Sequence, residues 1–512
     1  MENVTFWDIL IIILYLIAVL AYGLWKARNV STSDDFLVAG RTLGLFVLVG
    51  TLVMTEFNTA TMVGFASYGY TGGRSGTFLA LSIFIALGSY TFMVAKRWKR
   101  LNAISIAEMF VERYNYKFKI LTVIMIVFTL SLLSTTYLKA AAIVFSVTMN
   151  VSLFWTVILI SGVVLIFTLA GGLVSVSFTN LLSFIIAIVA LPCLFIFASI
   201  RANELGGLSA AFEPKYLSYN ILNTWNDPVI SFKFIFTVWL LSFFVYLNSP
   251  WYGQIMFATK NEKIAYKGIF IASLLTLGIY WGAIYIAAYA RVGFPDLDDP
   301  QKALPMVILH WMPVGIKGFT LALIFSIAQT TMATIWNNNV SIITQDVYRG
   351  IFKPNASDKH TIRFSRVLTF VIALITIVIS LLFVDVVLKV MFAANIFMVS
   401  LFFPGVFGFL WWRTGVRAVW VTTILGIFSG WTIYLLKEFA NESLPIYLRH
   451  QDWLFLFCCV ITPAIIIIGI IISLLEKQSD EYISRRVDFF NKVGAPWVGK
   501  QEYIYHKKLL ER

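Results

Sequence analysis

The chain predicts an all-α polytopic membrane protein of about thirteen transmembrane helices, and three observations carry that prediction. Hydrophobic residues fill 59% of its 512 positions and charged residues only 13%, for a mean hydropathy of +0.84. Apolar runs of about twenty residues recur throughout, each long enough to cross a bilayer as a helix. Two of those runs, the second and the seventh, are interrupted by polar or helix-breaking residues. That five-span offset is the pattern of two five-helix repeats in inverted topology with a site between them.

In order, the spans fall near Phe6–Trp25, Leu43–Tyr68, Gly76–Ala95, Ile120–Met149, Leu153–Leu169 and Val176–Ile200, then Phe232–Phe257, Gly268–Ala290, Ile316–Ile343, Val367–Phe383, Val386–Trp411, Ala418–Leu436 and Trp453–Leu474. No small-residue cleavage site follows the first apolar stretch, so it is expected to be retained rather than removed as a signal peptide. The organisation is then a leading helix (1–30), a first repeat (43–200), an outer loop (201–230), a second repeat (231–411), two trailing helices (418–475) and a tail (476–512). The outer loops Arg201–Ile230 and Arg291–Gly315 mix Pro, Gly and acidic residues with apolar ones (Phe212, Tyr216, Ile221; Met306, Leu309, Trp311). Short amphipathic helices over the mouth of a cavity fit that composition.

A net charge of +13 does not point to nucleic acid, because the basic residues sit mostly in loops between spans. Taken by alternate loops, twenty Lys and Arg fall on one side and ten, including Lys389 and Arg449, on the other. The positive-inside rule then puts the N-terminus outside and the C-terminus in the cytoplasm. Cys193, Cys458 and Cys459 lie in apolar runs without metal-ligand spacing and read as packing residues.

The second span carries Val53-Met54-Thr55-Glu56-Phe57-Asn58-Thr59-Ala60-Thr61 at its middle. A charge at that depth costs about 2.5–3.5 kcal/mol on insertion scales, so it normally faces a cavity or a partner. Thr and Asn also compete for backbone hydrogen bonds and loosen the helix. A polar seam between packed helices is the plain reading; an unwound binding segment is the functional one. The seventh span holds Tyr246-Leu247-Asn248-Ser249-Pro250-Trp251-Tyr252-Gly253-Gln254, where Pro250 removes a backbone donor and Gly253 loosens the next turn. On the ninth, Ile327, Thr330, Thr331, Thr334 and Asn338 share one face. Hydroxyls and carbonyls there suit a weakly held alkali cation, although a membrane Thr often bonds only its own backbone.

No Gly-x-x-x-x-Gly-Lys-Ser/Thr loop exists for ATP hydrolysis, and no repeated filter loop suggests a channel. His310, His360, His450 and His506 form no metal spacing, so an enzyme is not expected.

At these residues the sequence resembles the sodium/solute symporter family, which includes sodium-coupled sugar, proline, pantothenate and sialic acid transporters. The likeness runs from about Phe6 to Leu475. It is carried by Asp35-Phe36-Leu37-Val38-Ala39-Gly40-Arg41-Thr42-Leu43-Gly44, Ala170-Gly171-Gly172, Ser341 to Tyr348, Pro404-Gly405 and Trp411-Trp412-Arg413. The resemblance implies a LeuT-like five-plus-five inverted repeat with one leading and two trailing helices. It implies a sodium site from the carbonyls of Met54, Phe57 and Ile327 and the hydroxyls of Thr330 and Thr331. Substrate would lie against Glu56, Asn58, Thr59, Thr61, Asn248 and Trp251. Lys139 falls about where the sialic acid transporters would have a basic carboxylate ligand. Where the family often reads Thr-Asp-x-x-Gln, this chain has Thr179-Asn180-Leu181-Leu182-Ser183, and a second hydroxyl pair is replaced by Ala333-Thr334. Both departures favour one sodium over two.

The implied function is sodium-coupled symport of a small polar, possibly anionic, solute across the plasma (inner) membrane by alternating access, with lipid, solute and Na+ as partners. A proton-coupled variant using Glu56 and a transporter-like sensor are the alternatives. Glu56 itself has open roles: electrostatic partner of sodium, ligand for a substrate amine, proton acceptor, or partner of Lys139.

Overall fold

Helices form along the apolar runs, since a backbone in hydrocarbon must bond itself. The computed structural model describes residues 4–220, 227, 230–382, 387–440, 452–477 and 479–511. Ile221, Phe383, Val386, Arg449 and His450, and the side chain of Lys389, lie outside the described residues. Among the described residues, ten helices are long and apolar enough to span a membrane, and the bent pair Phe232–Tyr246 and Pro250–Ala258 makes an eleventh. The shorter apolar helices Leu45–Glu56 and Leu153–Ile166 stand where the sequence puts the first half of the second span and the fifth span.

The ninth span is the central strut. Its apolar window is 94% buried, against 22% for the last span, Trp453–Leu475. Composition explains the difference: Ser, Thr, Ala and Asn all around the ninth let neighbouring backbones approach closely, whereas about half of the last is Ile and Leu, suited to lipid. The ninth packs against Phe6–Ala27, Tyr116–Met149 and Leu153–Glu204. That last helix joins the fifth and sixth spans across a kink at Gly172 (φ 51°, ψ −138°). A Cβ at Gly172 would stand 2.3 Å from the Phe36 carbonyl oxygen, which accounts for the Ala-Gly-Gly motif.

Both interruptions are real breaks, with one correction. The second span stops at Glu56, passes through Phe57 (φ −72°, ψ 80°) and restarts at Thr59–Gly72. The seventh bends by 47° across Leu247–Ser249, and Pro250 begins the second half at its first turn, where a missing N–H costs nothing. Gly253 lies inside that second helix and does not loosen it. The Leu43 amide donates to the Ala258 carbonyl (3.0 Å) and Lys260 returns a bond to Leu43 (3.1 Å), tying the start of one broken span to the end of the other.

The first long loop contains the short helices Leu208–Ala211 and Pro214–Leu217, and the second contains Ala303–Trp311. The tail is folded. Its helices Asp480–Val493 and Lys500–Leu510 pack on each other, and the first docks against Ala95–Leu101 and Ala107–Arg113. Arg113, fully buried, donates to the carbonyls of Gly408 (3.0 Å), Trp411 (3.3 Å), Trp412 (3.2 Å) and Thr414 (3.2 Å) and to the Tyr482 hydroxyl (3.0 Å). Arg486 reaches the Trp412 carbonyl (2.7 Å), and Arg97 donates to Gly494 and Ala495. Outside the membrane, Arg413 bonds Glu502 and holds its carboxyl below the usual range. At the end of the ninth span Asp346 accepts from Lys119 (2.7 Å) and from Ser105, giving Ser341 to Tyr348 a structural role.

Candidate functional site

Site geometry starts at the break in the second span. Asn58 caps the second half-helix by accepting from the Thr61 amide (2.7 Å), while its own side-chain amide donates to the Glu56 carbonyl (3.0 Å). Ending the helix at Glu56 leaves carbonyls near it without helical partners. The Met54 carbonyl instead accepts from Thr330 Oγ1 (3.0 Å) and Thr331 Oγ1 (3.4 Å). The same hydroxyls lie 3.1 Å from the Ile327 carbonyl. Four of the five candidate sodium ligands therefore converge across two spans. Phe57, the fifth, is buried at the cap of the half-helix beside them, its ring 5.3 Å from that of Tyr280.

One turn further along, Thr334 Oγ1 lies 3.3 Å from Thr55 Oγ1, and Asn180 donates to it (3.3 Å). A neutral amide and two hydroxyls meet there, with no acid among them.

Glu56 is 2% exposed, and its carboxylate is turned to the seventh span. Tyr246 donates to one oxygen and Tyr252 to the other, while Tyr280 donates to its backbone carbonyl (2.8 Å). Hydrogen bonds to a charged group are worth about 1.5–3 kcal/mol each, so two phenols offset the insertion cost of the carboxylate. The pairing of Glu56 with Lys139 is not formed. Lys139 is half-buried, and the partners of Glu56 are the two phenols.

A cavity of about 70 Å³ opens beside this cluster. Of the candidate substrate residues, Thr61 and Trp251 line it. Thr59 is turned away, donating to the Tyr137 carbonyl of the fourth span (3.1 Å). Asn248 is fully buried, and its amide has no hydrogen-bond partner among the described residues. It sits against Gly405, where a Cβ would stand 2.0 Å from Asn248 Oδ1. Asn58, Glu56 and Lys139 do not line the cavity. The residues missing from the sequence reading are tyrosines: Tyr246 and Tyr252 on Glu56, Tyr280 on its backbone, and Tyr68 and Tyr137 in the cavity wall. Tyr246 and Tyr252 flank the break at Pro250. Six apart, they would not share a face of a straight helix, and the bend brings both to Glu56.

Comparison with known proteins agrees with this architecture. A family model described as the sodium:solute symporter family matches residues 36–426, and the chain belongs to that family. Among relatives, the sodium/sialic acid symporter NanT of Aliivibrio fischeri is 24% identical over 72% of this chain and 74% of its own. The osmoregulated proline transporter OpuE of Bacillus subtilis is 23% identical over 72% and 76%. Sodium/glucose cotransporter 4 of Danio rerio is 22% identical over 72% of this chain, which spans 62% of that relative's length. A solved structure of a substrate-bound, outward-open sodium-coupled sialic acid symporter superposes with a TM-score of 0.79 at 17% identity, over 93% of this chain and 99% of that one. The fold is thus the LeuT fold. The chain is an integral membrane protein of the class of sodium-coupled solute symporters, whose members are transporters rather than enzymes.

Proposed function

We propose that this protein carries a small polar solute inward with sodium by alternating access, in the plasma membrane, with its C-terminus in the cytoplasm. The observation that carries the reading is the convergence of Thr330 and Thr331 on the Met54 and Ile327 carbonyls, at 3.0–3.4 Å, across the break of the second span. A hydroxyl is donor and acceptor at once. The two Thr protons that bridge to these carbonyls can rotate away and present oxygen lone pairs to a cation, which the carbonyls, with Phe57, would then share. An ion bound there would hold the second span against the ninth, that is, the first proposed repeat (43–200) against the second (231–411). Glu56 joins the two broken spans through Tyr246 and Tyr252, so the breaks would move together. The Asn180–Thr334–Thr55 cluster, lacking an acid, supports one sodium rather than two. The proton-coupled alternative finds no support in the family comparison.

Reconstitution into proteoliposomes and uptake of a panel of labelled solutes under an inward sodium gradient tests the reading. Uptake of at least one solute that collapses when sodium is replaced by potassium is the expected result. Uptake driven equally well by a proton gradient without sodium would overturn it.

A further inference from the structure

The inference concerns the charge of the solute and rests on the symport reading of the same site. Seven residues lining the cavity are aromatic, among them Phe65, Tyr68, Tyr137, Tyr246, Trp251 and Phe392. The polar side chains that join the tyrosine hydroxyls there are few: Thr61, Ser242 and Asn395. The described lining contains no Lys, Arg or His, and none of its groups carries a formal charge.

Three solute classes can be weighed against that wall. An anion would leave water for a surface with no cation to meet it, and burying an unpaired charge is strongly unfavourable. A sugar would bring many hydroxyls to a wall with few side chains to satisfy them, and each unmet group carries a cost. A cation finds what it needs. Aromatic faces carry a negative quadrupole that attracts ammonium groups, alkylated ones above all.

A carboxyl group also stands directly behind the wall. Tyr246, whose ring lines the cavity, donates its hydroxyl to Glu56, and Tyr252 holds the other carboxylate oxygen. Hydrogen bonding to a carboxylate pushes electron density onto the phenol and makes its ring face a better cation acceptor. Sodium does not satisfy this charge from the same side. Its proposed ligands face the ninth span, whereas the carboxylate faces the seventh. Tyr246 and Trp251 stand edge to face, 6.3 Å apart, one on each side of the break.

We infer that the transported solute carries an ammonium centre, seated against Tyr246, Trp251 and Tyr137 with Glu56 behind them as its counter-charge, and that solutes whose only charge is a carboxylate are poor substrates.

The test is binding to the purified full-length chain in sodium, read by thermal stabilisation. Choline is compared with dimethylbutanol, its uncharged carbon isostere, and with glucose and sialic acid. Choline is expected to bind at least about tenfold more tightly than the isostere, as cation–π attraction at a desolvated site requires. Glu56→Gln should remove most of that preference, costing choline far more than the isostere. Should Glu56→Gln not fold, Trp251→Leu is expected to cost choline more than the isostere. Equal affinity of choline and the isostere, tighter binding of glucose or sialic acid, or no binding of choline would each overturn the inference. A sodium titration without solute separates the two readings: a sodium response with no choline preference sinks this inference alone. Choline binding in a protein that ignores sodium would support the inference and sink the coupling.

Discussion

Replacing Thr330 by Ala removes the tighter of the two hydroxyl bridges between the second and ninth spans. Thr330 Oγ1 lies 3.0 Å from the Met54 carbonyl, whereas Thr331 Oγ1 lies at 3.4 Å. Without an ion, the lost bond is one interhelical hydrogen bond inside a membrane protein, worth about 0.6 kcal/mol, so the variant should fold. With an ion, the lost group is a ligand to a charge, worth about 1.5–3 kcal/mol. That range is roughly a ten- to hundredfold change in a binding constant. Water can enter the space left by the side chain and replace part of the coordination, so the lower end is expected. The assay is the melting temperature of the purified protein as sodium replaces potassium at constant ionic strength. Thr330→Ala should shift the half-maximal sodium concentration upward about tenfold, Thr331→Ala by less, and Thr330→Ser hardly at all. Sodium curves of both Ala variants that superpose on the parent's would refute the assignment and move the ion elsewhere.

Gly405→Ala puts a methyl group 2.0 Å from Asn248 Oδ1, an overpacking of about 1–3 kcal/mol; the lost melting temperature should return in the Gly405→Ala/Asn248→Ala double variant, and simple additivity of the two losses would refute the contact. Arg113→Met strips a buried charge that serves four carbonyls and the Tyr482 hydroxyl. It should cost about 1–3 kcal/mol for each buried acceptor left unpaired and expose 480–511 to limited proteolysis, and unchanged protection would count against the docking. Glu502 is held below its ordinary value of 4.5, chiefly by the bond from Arg413. Its contribution is therefore present above that value and fades as pH falls through the depressed one. Because the pair is over a third exposed, it is worth no more than about 1 kcal/mol. Tail protection should weaken slightly in that acid window, and Glu502→Gln should flatten the dependence.

Breaks and polar faces were legible in the sequence because they violate what lipid demands. A carboxylate, two asparagines and a proline inside apolar runs have few structural explanations, and both interruptions appear where those residues stand. The polar face of the ninth span followed from helical periodicity alone. What could not be read is what depends on a bend. Tyr246 and Tyr252 reach Glu56 because the seventh span turns by 47° between them, and no periodicity applied across a break predicts that. Thr59 was legible as polar but not as to direction: which neighbour it faces is set by how the fourth span packs. Gly253 shows the reverse error, a flexible residue next to a proline that simply continues a helix. The fold of the tail was hidden because its anchors, Arg97 and Arg113, lie hundreds of residues earlier and read there as ordinary positive-inside loop charges.

That tail has a consequence for how the protein comes into being. Residues 480–510 leave the ribosome after the membrane helices described above, yet the buried guanidinium groups of Arg97 and Arg113 take hydrogen-bond partners from them. Until that segment has been made, Arg97 lacks the Gly494 and Ala495 carbonyls and Arg113 lacks the Tyr482 hydroxyl. Membrane helices made before that segment are therefore inserted without this clasp, which closes only once the tail helices have been synthesised.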